Sequence, residues 1–139
     1  MSSEADARQR QVLVADDEPH IGRIIKMKLE QGPFAVTLAY DGAEALELLE
    51  GGAAMDLILL DLMMPKKSGL DVLAYVRATP RLRDVPCIIL TAAGQEQQHQ
   101  TAMAMGATAF ITKPFSPKKL YQLTLELAGL STDSAGDGS

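Results

Sequence analysis

The stretch 56–65, with the sequence DLILLDLMMP, is the strongest indication of the fold. Every position from Leu57 to Leu60 is apolar, which is typical of a central strand whose two faces are both covered. The apolar run ends at Asp61, so a carboxylate stands where the strand ends. We therefore predict a buried parallel strand that delivers an acidic side chain to one edge of a sheet.

Short apolar runs of the same kind recur on both sides of this stretch, and segments with helical periodicity separate them. The predicted strands cover 12–15, 34–39, 57–60, 86–90 and 108–112. The first predicted helix packs inward with Ile21, Ile24, Ile25 and Leu29, and the fourth covers 95–105. Alternation of five strands with five helices predicts an α/β domain, a doubly wound parallel sheet with helices on both faces.

The boundaries of this domain follow from composition. The chain has 139 residues, which suits one hydrophobic core. We predict that residues 1–10, which are mostly polar, are disordered and that the domain occupies 11–130. Residues 131–139, rich in Ser, Asp and Gly, are predicted to be a tail or a linker.

The composition also excludes several classes of function. The net charge of −5 and the pI near 4.9 argue against direct nucleic acid binding, because affinity for the phosphate backbone comes from clustered Lys and Arg. The sequence has neither a secretory signal nor a run long enough to cross a membrane, so we expect a cytoplasmic protein with no membrane partner. The single cysteine, Cys87, lies in an apolar run and is predicted to be a buried core residue.

Polar side chains stand at the carboxyl ends of four predicted strands. They are the pair Asp16-Asp17, then Asp61, Thr91 and Lys113. Ligands of open α/β sheets bind at this edge, near the point where the strand order reverses. Only the fold can gather these groups, so their common position predicts a functional cleft.

The chemistry of such a cleft is restricted by charge. Three carboxylates in one place repel each other, and a divalent cation with oxygen ligands resolves the repulsion. Mg²⁺ suits the site because it takes one or two carboxylates and accepts a phosphate oxygen. Asp61 is then the natural nucleophile toward phosphorus, and Lys113 supplies the cation that balances the incoming phosphoryl charge.

Four segments carry a resemblance to a known family. They are VLVADDE at 12–18, DLILLDLMMP at 56–65, LTA at 90–92 and KPF at 113–115. From about 12 to 130 the chain resembles the response-regulator receiver domains of bacterial two-component systems, in the CheY-like superfamily. The resemblance implies a flavodoxin-like (βα)5 fold with strand order 2-1-3-4-5.

The resemblance also implies roles for individual residues. Asp61 matches the phosphoacceptor, Asp17 and Asp16 match the metal-binding acids, and the backbone carbonyl of Met63 matches a further Mg²⁺ ligand. Thr91 matches the switch hydroxyl and Lys113 the phosphoryl-binding lysine, with a cis peptide bond before Pro114. Phe110 matches the aromatic side chain that turns inward on activation, although it lacks the hydroxyl of the commoner Tyr.

Partners follow from the same resemblance. The implied phosphodonor is a sensor histidine kinase or a phosphotransfer protein. The implied output runs through the fourth helix, fifth strand and fifth helix to an effector protein or a fused output domain, with phosphorylation-dependent homodimerisation as an alternative. The protein is not expected to be an enzyme beyond its own phosphorylation and dephosphorylation. A phosphatase would need an acid where Met63 stands, and a receiver that is never phosphorylated would lack some of these side chains.

Simpler interpretations exist for each residue taken alone. The acidic run at 16–18 can cap a helix, and Lys113 can be a solvated surface residue. Phe110 can be plain core. His20 and His99 receive no role, and Lys66-Lys67 is predicted to be a solvated pair in a loop.

Overall fold

A computed structural model describes residues 9–64 and 66–130. Within these residues, five parallel strands form one sheet in the order β2-β1-β3-β4-β5, which confirms the predicted fold class and strand order. The strands are β1 (Arg10–Ala15), β2 (Phe34–Ala39), β3 (Leu57–Asp61), β4 (Cys87–Ala92) and β5 (Ala109–Lys113). The helices are α1 (Pro19–Leu29), α2 (Gly42–Glu50), α3 (Gly69–Ala78), α4 (Glu96–Ala104) and α5 (Pro117–Leu127). None of the helices in the described part of the chain combines the length and the apolar character that a membrane span requires.

The sheet separates two hydrophobic cores, one on each face. Alternate residues of the central strands enter different cores, because successive side chains of a strand point to opposite faces. Leu13 and Leu60 pack on one face with α2, α3 and α4. Val14 and Leu59 pack on the other face with α1 and α5. All five residues of β3 are buried, as the continuous apolar run predicts.

Several element boundaries differ from the sequence-based expectation. Arg10, expected in the disordered N-terminal segment, is the first residue of β1, because its N–H donates to the Pro33 carbonyl at 2.9 Å and it pairs with Phe34. Ile24, expected on the inner face of α1, is 40% exposed, because that helix buries Gly22, Ile25 and Leu29 instead. The rest of the predicted N-terminal segment, 1–8, and the tail, 131–139, lie outside the described residues, as does Pro65.

The lone cysteine is buried in β4, as predicted. Burial raises the pKa of the Cys87 thiol to about 11. The thiolate is the reactive form of cysteine, so this side chain is chemically inert at neutral pH.

The first turn of α3 lies directly against the end of β3. The Gly69 N–H donates to the Leu62 carbonyl at 3.2 Å. A Cβ atom at Gly69 would overlap the Asp61 carbonyl oxygen and come within 3.1 Å of the Leu62 Cα. Ser68 and Asp71 close the start of this helix with a reciprocal capping box. The position of Asp61 therefore depends on a residue without a side chain at the start of the next helix.

This contact predicts that Gly69→Ala destabilises the protein by about 1–3 kcal/mol, because backbone atoms have to move apart. The matched control is Gly22→Ala in α1, where a Cβ atom would meet only the Leu38 side chain at 3.4 Å. We expect this control to be neutral or up to about 1 kcal/mol more stable, since Ala favours a helix. Urea unfolding measures both free energies. Equal stability of the two variants would show that the contact at Gly69 is not restrictive.

Candidate functional site

The carboxyl edge of the sheet brings the predicted polar residues together. Asp61 ends β3, Lys113 ends β5, and Asp16 follows β1. Ala15 on β1 pairs with Leu60 on β3. Asp16 and Asp61 are the next residues along the chain, so they lie side by side. A cleft of about 290 Å³ opens at this edge and is lined by Asp17, Glu18, Asp61, Met63, Ala92, Gln95 and Lys113.

The Lys113 ammonium group occupies the centre of the acidic cluster. Its Nζ atom lies 2.9 Å from Asp16 Oδ2, 3.0 Å from Glu18 Oε1 and 3.1 Å from Asp61 Oδ2. The Asp16 side chain is fully buried, while that of Glu18 is about half exposed. The Lys113-Pro114 peptide bond is cis, as the resemblance implied. The simpler interpretation of Lys113 as a solvated surface residue is therefore wrong.

Burial and mutual repulsion set the charge state of this cluster. Burial and the neighbouring Asp16 charge raise the pKa of Asp61 to about 6, although the Lys113 ammonium and the Met63 N–H act against this rise. Burial acts to lower the pKa of Lys113. Its close contacts with the carboxylates of Asp16 and Glu18, together with the charges of the acids, outweigh burial and hold that pKa above its ordinary value. The hydrogen bond from Lys113 lowers the pKa of Glu18.

One acid of the cluster differs from the predicted set. Carboxylate oxygens of Asp16, Glu18 and Asp61 lie within 4.8 Å of one another, and Asp17 is not part of this group. The turn after β1 explains the difference, because the Asp16 carboxylate accepts a hydrogen bond from the Glu18 N–H at 2.9 Å and Glu18 then reaches Lys113. Asp17 is exposed and lines the same cleft. Glu18 is one of the site residues that sequence reasoning missed, although it is the third acid of the run.

The loop after β3 turns back over the phosphoacceptor candidate. The Met63 N–H donates to Asp61 Oδ1 at 3.1 Å, and the Met63 side chain is 52% exposed. A role for the Met63 carbonyl as a metal ligand stays a prediction. Lys66, farther along the loop, has a φ of 67° and an exposed side chain whose Nζ lies 3.6 Å from Asp41 Oδ2. These contacts agree with a solvated loop lysine.

The end of β4 contributes a buried hydroxyl. The Thr91 side chain hydrogen-bonds Gln95 Oε1 at 3.3 Å, and the Ala92 N–H donates to the same oxygen at 2.9 Å. Gln95 was not predicted as a site residue, because nothing in its sequence context distinguishes it from the glutamines that follow. Ala93 is exposed and lines a smaller cavity of about 170 Å³ together with Thr91.

The aromatic side chain of β5 faces outward. Phe110 is 43% exposed, so the interpretation of this residue as plain core is wrong. Its ring centroid lies 3.8 Å from that of His99 on α4, with the two planes tilted by 47°. Both rings line the 170 Å³ cavity beside Thr91. An inward rotation of Phe110 stays a prediction, and His99, which received no role, is its packing partner.

Comparison with known proteins finds a family and relatives that agree with one another. The family described as the response regulator receiver domain matches residues 12–125. The transcriptional regulatory protein CpxR of Escherichia coli is 39% identical over 109 residues, which are 78% of this chain and 45% of CpxR. The phosphate regulon transcriptional regulatory protein PhoB of Escherichia coli is 39% identical over 111 residues, which are 80% of this chain and 48% of PhoB. The chain therefore spans about half the length of these curated relatives.

Solved structures with the same fold include two response regulators. The receiver domain of the Francisella response regulator 1452 has a TM-score of 0.78 and 34% identity, covering 87% of this chain and 98% of that one. The chemotaxis response regulator CheY4 of Vibrio cholerae has a TM-score of 0.78 and 29% identity, covering 86% of this chain and 98% of that one. The family match, the strand order and the acidic cleft agree, and the chain belongs to the response regulator receiver domain family of two-component systems.

Proposed function

We propose that this chain is a phosphoacceptor switch that takes a phosphoryl group from the phosphohistidine of a sensor histidine kinase or phosphotransfer protein onto Asp61. The observation that carries the proposal is the position of Lys113, whose ammonium group lies within 3.1 Å of both Asp16 and Asp61. A partly buried cation beside a buried nucleophile is the arrangement that transfer of an anionic group requires.

The proposed reaction is an in-line transfer to a carboxylate. An Asp61 oxygen forms the new P–O bond while the P–N bond to the donor imidazole breaks, and the bonding electrons leave with the imidazole nitrogen. With a pKa of about 6, Asp61 is largely ionised at neutral pH, which is the form that attacks. Lys113 stabilises the negative charge on the phosphoryl oxygens during the transfer.

The donor atoms of the cleft fit a small hard cation. Mg²⁺ prefers oxygen ligands, and the clustered carboxylate oxygens of Asp16, Glu18 and Asp61 supply them. We propose that Asp16, Asp17 and Asp61 hold Mg²⁺ together with the Met63 carbonyl. Asp17 lies outside the closest group of carboxylates but lines the same cleft, while Glu18 is paired with Lys113. When bound, the ion neutralises the excess of carboxylate charge and coordinates a phosphoryl oxygen.

The proposed output surface is formed by α4, β5 and α5. Phosphorylation shifts this face between two conformations, and the face contacts an effector protein or an output domain, or pairs with a second phosphorylated copy. The chain modifies only itself and turns over no separate substrate, so we do not classify it as an enzyme. The proposed exchange with a kinase places the protein in the cytoplasm.

Asp61→Asn is expected to abolish phosphorylation, because an amide cannot act as the nucleophile. Intact-mass measurement after incubation with a small phosphodonor and Mg²⁺ should show one added phosphoryl group on the wild type and on the control Asp84→Asn, whose side chain is exposed. Lys113→Ala is expected to impair the response to phosphorylation more than folding. Labelling of Asp61→Asn to the wild-type extent would contradict the assignment.

The metal-free protein is expected to lose stability as the pH rises. The folded pKa of Asp61, about 6, lies above its ordinary value of 3.8, so the folded state holds this proton more tightly than the unfolded state. The stability from this proton is fully present below about pH 4 and is lost as the pH rises through 6. Asp61→Asn avoids the loss and should be about 1–3 kcal/mol more stable than the wild type at about pH 8.

Urea unfolding in the presence of a chelator measures this difference across the pH range. The gap between Asp61→Asn and the wild type should shrink toward about pH 4, where both side chains are neutral. Asp84→Asn is the control and should differ from the wild type by the same small amount throughout. A gap for Asp61→Asn that does not vary with pH would contradict the raised pKa.

The phosphorylated protein is expected to be long-lived for a receiver. In the family, the side chains two residues after the phosphoacceptor and two after the switch hydroxyl flank the path of the attacking water. Met63 and Ala93 stand there and orient no water. Loss of water positioning costs about 1.4–2.7 kcal/mol of barrier, or about 10- to 100-fold in rate.

Decay of the phosphorylated protein, followed by intact mass, tests this expectation. The double variant Met63→Asn, Ala93→Glu should lose its phosphoryl group about 10- to 100-fold faster than the wild type. Met27→Asn is the control, since Met27 is 67% exposed on α1. If the double variant decays no faster than the control, these two positions do not set the lifetime.

A further inference from the structure

The Gln95 side chain makes an unusual connection between β4 and α4. Gln95 directly precedes α4, where a polar side chain commonly accepts a hydrogen bond from the first turn of its own helix. Gln95 makes no such bond. Its side chain reaches back to the strand instead, where Oε1 accepts from the Ala92 N–H at 2.9 Å and contacts the Thr91 hydroxyl at 3.3 Å.

The hydrogen-bonding partners fix the orientation of this carboxamide. A backbone N–H can only donate, so the atom that faces Ala92 is the oxygen of Gln95. The backbone N–H of Gln95 in turn donates to the Ala92 carbonyl at 3.1 Å. Two reciprocal hydrogen bonds therefore close a short ring between the end of β4 and the start of α4.

Of the two donors that Gln95 engages, Ala92 lines the phosphorylation cleft and Thr91 lies directly beside it. Gln95 and Ala92 line the same cleft as Asp61 and Lys113. Thr91 is only 5% exposed, and the preceding residue Leu90 pairs with Asp61 in the sheet. An anionic oxygen attached to Asp61 would find the Thr91 hydroxyl and the Ala92 N–H as its nearest neutral donors on β4.

We propose that Gln95 is a latch whose carboxamide oxygen occupies, in the unphosphorylated protein, the two donors that a phosphoryl oxygen on Asp61 takes. This inference rests on the proposed function. Phosphorylation then replaces a neutral acceptor with an anionic one, which forms stronger hydrogen bonds with the same donors. Gln95 is a positioning residue, because it acts through Thr91 and Ala92.

The latch also connects the cleft to the proposed output face. Release of the Gln95 side chain breaks its hydrogen bonds with Thr91 and Ala92 and leaves, of these three contacts, only the bond from the Gln95 backbone N–H to the Ala92 carbonyl. Among the described residues of α4, only Ala102 is buried, so few apolar contacts oppose a shift of this helix. His99, on the same helix, packs against Phe110. Movement of α4 therefore changes the surroundings of the aromatic residue on β5.

Removal of the latch is expected to favour the phosphorylated state. Gln95→Met keeps the length of the side chain and removes the acceptor, so the donors are free before the phosphoryl group arrives. We expect beryllofluoride with Mg²⁺, a mimic of the phosphoryl group, to bind about three- to tenfold more tightly than to the wild type. The matched control is Gln97→Met on α4, an exposed position that should bind like the wild type.

Two further measurements separate the latch from other roles of Gln95. The Ala92 amide proton should shift upfield in the NMR spectrum of Gln95→Met, since it loses its acceptor, and the decay rate of the phosphorylated protein should stay within about twofold of the wild type. A slower decay with unchanged beryllofluoride affinity would mean that Gln95 positions water, and the latch would be wrong. Unchanged affinity together with unchanged decay would also overturn it.

A second variant keeps the test decisive if Gln95→Met does not fold. Gln95→Glu retains an acceptor for both donors and adds a negative charge, so beryllofluoride should bind more weakly than to the wild type while the Ala92 amide proton stays hydrogen-bonded. Tighter binding to this variant would overturn the latch. Failure of the wild type itself to bind beryllofluoride or accept a phosphoryl group would instead reject the proposed function.

Discussion

The ammonium group of Lys113 forms ion pairs with acidic side chains from different strands at the carboxyl edge of the sheet. It compensates the carboxylates of Asp16, which follows β1, and Asp61, which ends β3, and it comes from β5 at one end of the strand order. Buried ion pairs contribute little net stability, because desolvation of the charges offsets their attraction. Their effect here is geometric. The register of four strands has to be correct for one cation to reach Asp16 and Asp61 together, so the cluster specifies the arrangement that a phosphoryl group needs.

Much of this arrangement could be predicted from the sequence, because it depends on periodicity. A short run that is apolar at every position and bounded by turn residues favours a buried strand, and the residues that end or follow such strands share one edge of a parallel sheet. Asp16, Asp61, Thr91 and Lys113 are therefore found where the pattern places them. The cis bond before Pro114 was predicted from the family resemblance and not from periodicity.

The details that were not predicted depend on which atoms a side chain contacts, and the periodicity of apolar residues along the chain does not specify those contacts. Glu18 replaces Asp17 in the acidic cluster because of a local turn, in which the Asp16 carboxylate binds the Glu18 N–H. Gln95 acts across a turn toward Ala92, and no repeat in the sequence marks that contact. Phe110 lies on the edge strand β5, where its side chain is 43% exposed and packs against His99. Such choices are set by neighbours that the fold alone brings together.

The burial of Cys87 has a practical consequence for watching this protein move. The chain contains one cysteine, and its thiol is shielded within β4 with a pKa near 11, so maleimide and methanethiosulfonate reagents find no thiolate there at neutral pH. A cysteine introduced on the surface of α4 can therefore carry a fluorophore or a spin label without removal of the native residue. A label attached to such an introduced cysteine would therefore report on the movement of α4 without competing reaction at Cys87.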